Sequence, residues 1–169
     1  MQIREYNSET DKKQLLELSE RLMDFEFPVR IDTDFLACIQ RENFEMDLDK
    51  PEDGQIIFVA TDKNVDAEVL LGFVQLKIEK GWISRQRHVH LERLAVSACV
   101  EGKGVAKALM AELERWTHFA GFPMVNLNVF ATNERAINFY KHLGYEVETM
   151  KMAKEINAAS GSAAAASVS

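Results

Sequence analysis

Residues 96–110 read Val-Ser-Ala-Cys-Val-Glu-Gly-Lys-Gly-Val-Ala-Lys-Ala-Leu-Met. An apolar, strand-like run ends at Val96, and apolar residues at helical spacing begin immediately after Gly104. Glycine has no Cβ and lets the backbone approach a ligand, and the first turn of a helix offers unpaired N–H groups to an anion. The stretch therefore predicts a strand, a glycine turn and a helix that together hold a phosphate-bearing cofactor. On this segment alone, a tight turn that binds nothing remains the alternative.

The segments on either side of this turn alternate between strand and helix patterns. Apolar residues at helical spacing predict a helix from Leu15 that ends before Pro28. Asp32 can cap a second helix, whose predicted inner face is formed by Phe35, Leu36, Ile39 and Phe44. Further helices are predicted over 104–120 and 133–143, and strands over 2–6, 55–61, 69–78, 88–96, 124–130 and 145–156, with a hairpin turn at 64–66.

This order of elements mixes an antiparallel block with strand–helix–strand crossovers. It predicts one domain over residues 1–156, of mixed α/β (α+β) class, with a mostly antiparallel twisted sheet and helices on both faces. Residues 157–169 contain mainly Ala, Ser and Gly without periodicity. Such low-complexity sequence predicts a disordered tail or an expression remnant.

Composition and charge exclude several classes of protein. No apolar run approaches the 18 or so residues that span a membrane, and the N-terminus lacks the apolar region of a secretory signal. The net charge is −7, and acidic side chains outnumber basic ones about two to one in residues 1–54, so the basic footprint of a nucleic-acid-binding protein is missing. Cys38 and Cys99 stand singly, which predicts a cytoplasmic protein with no metal centre.

Two motifs resemble the GCN5-related N-acetyltransferase (GNAT) superfamily, which transfers an acetyl group from acetyl-CoA to an amine. The first is Leu94-Ala-Val96 followed by Glu101-Gly-Lys-Gly-Val-Ala106, which is similar to the family pattern Q/R-x-x-G-x-G/A. The second runs from Leu127-Asn-Val129 through Asn133 to Ala136-Ile-Asn-Phe-Tyr140-Lys-His-Leu-Gly144-Tyr145. The resemblance covers about residues 2–156, and it implies a GNAT fold in which two parallel strands splay apart.

The resemblance also implies where acetyl-CoA binds. Its pantetheine arm is expected to pair with the backbone of Leu94, Ala95 and Val96, and its diphosphate to rest on the amides of Gly102, Lys103, Gly104, Val105 and Ala106. Asn133 is expected to touch the cofactor arm, to cap a helix, or both. Glu101 departs from the family pattern, because a carboxylate cannot donate to a phosphate. We expect Lys103 or Lys107 to supply the positive charge instead.

Candidate catalytic residues follow from the same resemblance. Tyr140 matches the family's usual general acid for the departing thiolate. The base is expected to be Glu92 or His90, and water is a third possibility. His88, His90, Glu92, Leu94 and Val96 have the same strand parity, which predicts that they share one face of the strand.

The resemblance places the acidic first third beside the acceptor, which predicts a small cationic amine such as a polyamine, an aminoglycoside or an amino-sugar. The alternative is that this charge only keeps the helix faces solvated. The residues expected to meet that cation are Asp24, Glu26, Asp32 and Asp34. Two alternatives stay open: a protein N-terminal or lysine N-acetyltransferase, and a non-catalytic acetyl-CoA-binding regulatory module. Family members are often dimers, so a homodimer also stays open.

Overall fold

The chain forms a five-stranded sheet with helices on both faces. The computed structural model describes residues 1–28, 31–63, 68–81 and 85–154. The predicted hairpin turn at 64–66 and the predicted tail at 157–169 lie outside these residues. The elements in chain order are β1 (Gln2–Glu5), α1 (Lys12–Ser19), a 3₁₀ helix (Glu20–Met23), α2 (Thr33–Asp49), β2 (Gln55–Lys63), β3 (Glu68–Lys80), β4 (Arg87–Val96), a 3₁₀ turn (Ala98–Val100), α3 (Val105–Phe119), β5 (Val125–Leu127) and α4 (Glu134–His142).

The sheet is mixed, as predicted. Its strand order is β1-β2-β3-β4-β5, in which β1 to β4 pair antiparallel and β4 pairs with β5 in parallel. The parallel pairing covers only three positions, from Val89 with Val125 to Leu91 with Leu127. Beyond Leu91, β4 continues for five residues without β5 beside it.

A separate hydrophobic core lies on each face of the sheet. On one face, α3 buries Leu109, Met110 and Leu113 completely against strand residues that include Val74 and Val89. On the other face, α1 and α2 contribute Leu15, Phe44 and Leu48, and the Phe44 ring stacks on Phe73 with centroids 5.3 Å apart. The prediction of helices on both faces is confirmed.

A β-bulge in β4 corrects the expectation that alternate residues from His88 to Val96 share one face. Gln75 pairs with Arg93 and Leu76 pairs with Leu91, so Glu92 is an extra residue on β4. Val89 and Leu91 lie on the α3 face before the bulge, and Leu94 and Val96 lie on that same face after it. His88 and His90 therefore lie on the opposite face of the sheet from Leu94 and Val96.

Two helix predictions also need correction. The first helix ends at Ser19, where the Ser19 hydroxyl donates to the Leu16 carbonyl, and the 3₁₀ helix follows it. Residues 24–28 are neither helix nor strand. In α2, Phe44 is buried but Phe35 is 66% exposed. Nine residues at about 100° each place these two rings on opposite sides of the helix.

The predicted last strand does not form over residues 145–154. Val147, Met150 and Met152 are exposed in this segment. A further strand would have to pair with β5. Because β5 has only three residues, its free edge is short. Within the described residues, no helix is both long enough and apolar enough to cross a bilayer.

Candidate active site

A groove of about 880 Å³ opens where β4 and β5 part. One wall is the end of β4, and the other walls come from the first turn of α3, the segment 128–130, α4, and the connection between the 3₁₀ helix and α2. Leu94, Ala95 and Val96 all line it. In the described structure, β5 does not pair with the outer backbone edge of these three residues, and the Val96 carbonyl accepts a hydrogen bond from the Arg21 side chain over 3.5 Å.

The turn before α3 lies at this groove with its backbone amides available. In the described part of the chain, the amides of Gly102 and of residues 104–107 have no protein acceptor, whereas the Lys103 amide donates to the Val100 carbonyl over 3.2 Å. Gly102 and Gly104 have φ angles of 72° and 81°, and a Cβ on either would meet nothing within 4 Å. Backbone conformation therefore requires glycine here, and the space above the turn is open to a ligand.

The Glu101 carboxylate faces the groove between two arginines. It accepts hydrogen bonds from Arg21 of the 3₁₀ helix and from Arg135 of α4, the latter over 2.9 Å. The hydrogen bond from Arg135, together with the charges of both guanidinium groups, holds the pKa of Glu101 below its usual value. The departure from the family pattern is thus compensated by two neighbouring cations.

The two lysines differ in position. Lys107 lines the groove, whereas the Lys103 ammonium donates to the Cys99 carbonyl over 3.0 Å and is not part of the lining. Arg21 and Arg135 add positive charge that sequence reasoning missed. Arg21 is distant in sequence from the motif, and only the fold brings it to Glu101.

Tyr140 and Asn133 reach the groove from α4 and the residue before it. The Asn133 side chain accepts a hydrogen bond from the Ala136 amide over 3.0 Å, so it caps α4 and lines the groove at the same time. Burial raises the pKa of Tyr140 to about 12. Its hydroxyl is therefore protonated at neutral pH and can act as a proton donor.

The two candidate bases occupy different environments. Glu92 lines the groove and accepts a hydrogen bond from the Gln55 side chain over 3.2 Å, on the side of the sheet where α1 and α2 pack. His90 is absent from the lining, and its Nδ1 lies 2.7 Å from the Asn126 side-chain oxygen. The Asn126 nitrogen in turn lies 2.9 Å from His88 Nε2.

Of the four acidic residues proposed for the acceptor, only Asp24 lines the groove, and it is paired with Arg21. The Asp32 carboxylate caps α2 through the amides of Asp34 and Phe35, at 3.1 and 3.0 Å. Glu26 and Asp34 are exposed and do not contribute to the lining.

Three phenylalanine rings line the groove where acidic residues were expected. Phe25 and Phe27 lie 4.0 Å apart between ring centroids, and Phe130 lies 5.6 and 5.3 Å from them. We call Phe25, Phe27 and Phe130 the phenylalanine wall. Phe alternates with acidic residues just before Pro28, and this pattern was a sequence signal for part of the phenylalanine wall. The signal was overlooked because the predicted first helix included Phe25.

Comparison with known proteins supports the fold of this site. The model of the acetyltransferase (GNAT) family matches residues 15–145. The chain belongs to this family. Among solved structures, the GNAT chain resembles a mutant of the BH1408 protein from Bacillus halodurans, with a TM-score of 0.72, 15% identity, and coverage of 93% of this chain and 100% of the other.

Two further structures resembling this GNAT protein are named as acetyltransferases. An aminoglycoside acetyltransferase from an uncultured soil metagenomic sample, in complex with sisomicin, has a TM-score of 0.62 and 17% identity, with 92% of this chain and 96% of the other covered. Glucosamine-6-phosphate N-acetyltransferase from Arabidopsis thaliana has a TM-score of 0.62 and 18% identity, with 92% and 98% covered. At these identities the likeness shows a shared fold.

GNAT proteins generally use acetyl-CoA, and the groove of this member fits coenzyme A. The free amides around Gly104 suit a diphosphate, and the unpaired backbone edge of residues 94–96 suits the amide groups of a pantetheine arm. Among the described side chains, no group of three His, Cys, Asp or Glu is placed to hold a metal ion.

Proposed function

We propose that this GNAT protein is an acetyl-CoA-dependent N-acetyltransferase that acetylates the primary amine of a small cationic acceptor in a ternary complex. The observation that carries the proposal is the groove itself. The free amides of Gly102 and of residues 104–107, the edge of β4 that β5 leaves unpaired, and the Tyr140 side chain all meet there. The family membership and the amine-acetylating relatives support the same reaction.

Acetyl-CoA supplies an acetyl thioester, whose carbonyl carbon accepts the amine and whose sulfur departs. The Glu92 carboxylate takes a proton from the acceptor ammonium, so that a neutral amine can attack. A backbone N–H on the unpaired edge of β4 donates to the carbonyl oxygen as negative charge develops there.

The Tyr140 hydroxyl gives its proton to the departing sulfur. The second proton of the attacking nitrogen passes through water to Tyr140 and restores it. Glu92 releases the first proton to solvent, so the reaction yields an amide, a thiol and one released proton. A thiol is a fairly acidic leaving group, with a pKa near 8.5, so modest proton donation suffices. In this proposal the groove holds both substrates at once, and no covalent acetyl-protein forms.

A panel of acceptors tests the proposal. Release of the coenzyme A thiol is followed with polyamines, aminoglycosides, amino-sugars, simple primary amines and peptides carrying a free N-terminus or lysine. We expect turnover with small primary amines. Turnover of peptides alone would replace the small acceptor with a protein, and tight acetyl-CoA binding without turnover of any amine would indicate a regulatory module.

A further inference from the structure

The phenylalanine wall gives the groove an apolar surface that takes no part in the chemistry proposed above. Phe130 is 42% exposed, and Phe25 and Phe27 are half-buried. Leu22 and Leu36 line the groove alongside them. Exposed apolar surface inside a groove marks a place where an apolar part of a ligand packs.

The wall lies at the parting of the two parallel strands, as Glu92 does. Glu92 is the first β4 residue beyond the last paired position, Leu91 with Leu127, and Phe130 follows Leu127 by three residues on the diverging chain. Phe25 and Phe27 come from the connection between the 3₁₀ helix and α2. Glu92 accepts its hydrogen bond from Gln55 on the face of the sheet that α1 and α2 cover. The amides around Gly104 belong to the first turn of α3, which packs on the other face of the sheet.

The charges beside the wall do not suit an acceptor that is polar throughout. Asp24 and Glu101 are paired with arginines, whereas the Glu92 carboxylate accepts a hydrogen bond from the neutral Gln55 amide. A polyol or a bare polyamine would lose hydration against the phenylalanine rings without gaining hydrogen bonds. An apolar body would gain roughly 25 cal/mol for each Å² that it buries.

We infer that the acceptor is a primary amine carrying an apolar body of about one aromatic ring, which packs on the phenylalanine wall while its ammonium group meets Glu92. This inference rests on the proposed function and narrows it. Within the class of small cationic amines, it places those with an aromatic or aliphatic body ahead of amino-sugars, aminoglycosides and polyamines.

The test compares acceptors within one protein at a fixed acetyl-CoA concentration. The kcat/KM values for 2-phenylethylamine and hexylamine are measured against those for glucosamine and putrescine. We expect both apolar amines to exceed both polar ones by at least about tenfold, because burial of a side chain of that size is worth one such factor or more. Replacing Phe130 by Ala should reduce that ratio by about tenfold, and Phe130→Leu, which keeps apolar volume, should reduce it less.

Phe119→Ala is the matched control. Phe119 is 76% exposed at the far end of α3, and it is not part of the groove lining. Its loss should leave the ratio unchanged. Since each ratio is taken within one preparation, it does not depend on how much of a variant is folded.

Equal kcat/KM values for apolar and polar amines, or a ratio that Phe130→Ala does not alter, would overturn the inference and leave the proposed acetylation of small amines standing. Failure to acetylate any amine, with acetyl-CoA shown to bind by calorimetry, would overturn the proposed function and this inference with it.

Discussion

The Tyr140 hydroxyl is the proton donor proposed for the groove, and burial on α4 raises its pKa to about 12. We predict that Tyr140→Phe lowers kcat by about 10²- to 10⁴-fold, the usual range for a lost acid, while acetyl-CoA affinity changes little. In the wild type, deprotonation of Tyr140 should cause no fall in kcat near pH 10, where an ordinary tyrosine loses its proton. Steady-state kinetics and calorimetry on the same preparation check both statements.

Tyr145→Phe is the matched control for that variant. The Tyr145 hydroxyl donates to Glu114 over 3.1 Å, and the residue is not part of the groove lining. Its ring lies 5.8 Å from that of Tyr140, so the control removes a neighbouring hydroxyl from outside the groove while both rings stay in place. Equal losses in the two variants would remove Tyr140 from the chemistry.

Glu92 carries the prediction about the base. Replacing Glu92 with Gln keeps the side chain's size and its place in the groove but removes the proton acceptor, so kcat/KM should fall by about 10²- to 10⁴-fold, as steady-state kinetics would show. The control is His90→Gln, since His90 is outside the groove lining and contacts Asn126. An unaltered kcat/KM in Glu92→Gln, with a lowered one in His90→Gln, would transfer the role to the histidine.

At the scale of residues, sequence reasoning was best where function depends on local geometry. The amides at 102–107, Asn133 and Tyr140 belong to contiguous motifs, and the structure brings them to one groove. The phenylalanine wall and the two arginines on Glu101 were missed, because their members come from segments far apart in sequence. Only the tertiary fold makes such neighbours.

At the scale of elements, the turn and helix beginning at Gly104 are the part most sensitive to substitution. Valine at this position would be forced toward a φ of 81°, a conformation that costs a β-branched residue roughly 1–3 kcal/mol. Relief of that strain would turn the free amides away from their present directions. We predict that Gly104→Val loses most of its acetyl-CoA affinity, as measured by calorimetry.

Gly121→Val is the matched control for this element. Gly121 follows the other end of α3 with a φ of 78°, and a Cβ there also meets nothing within 4 Å. The two variants should lose similar stability, whereas acetyl-CoA affinity should fall only in Gly104→Val. Equal affinity in both would mean that the turn is structural and binds no diphosphate.

The strands show why element boundaries were harder to predict than element types. Every predicted strand before residue 131 is present, but β5 covers only Val125–Leu127 of the predicted 124–130. The residues after Leu127 have the same alternation as those before it. Their departure from β4 depends on the partner strand, so a pattern of apolar residues could not predict it.

At the scale of the whole molecule, the buried Asp11 carboxylate joins β1 to α1 through an ion pair with the partly exposed Arg4. Its carboxylate accepts from Arg4 over 2.6 and 2.9 Å and from the Asn7 amide over 2.8 Å. Burial by itself would raise the pKa of Asp11, but these bonds and one from Thr10 outweigh burial and lower it. Asp11→Ala should therefore reduce the free energy of unfolding by about 1.5–3 kcal/mol in urea denaturation, because the hydrogen bonds to the carboxylate are lost while Arg4 keeps Glu68 as a partner.

The lowered pKa of Asp11 also sets the direction in which the stability of the protein changes with pH. The folded state favours ionised Asp11, so its stabilisation is complete above the ordinary pKa of 3.8 and is lost as the pH falls through the lower folded value. Asp49→Ala is the control, because the Lys12–Asp49 pair is exposed and is worth about 0–1 kcal/mol. Equal losses of stability in the two variants would contradict the assignment.

The extra residue at position 92 shifts the alternation of side chains between the two faces of the sheet by one residue along β4. Its first half turns Val89 and Leu91 toward α3, and its second half turns Leu94 and Val96 the same way. Removing one residue here would force one of these halves to expose its apolar side chains to water. The fold therefore tolerates a change of side chain at position 92 more readily than a change in the number of residues in this strand, whereas the proposed chemistry depends on the Glu92 carboxylate.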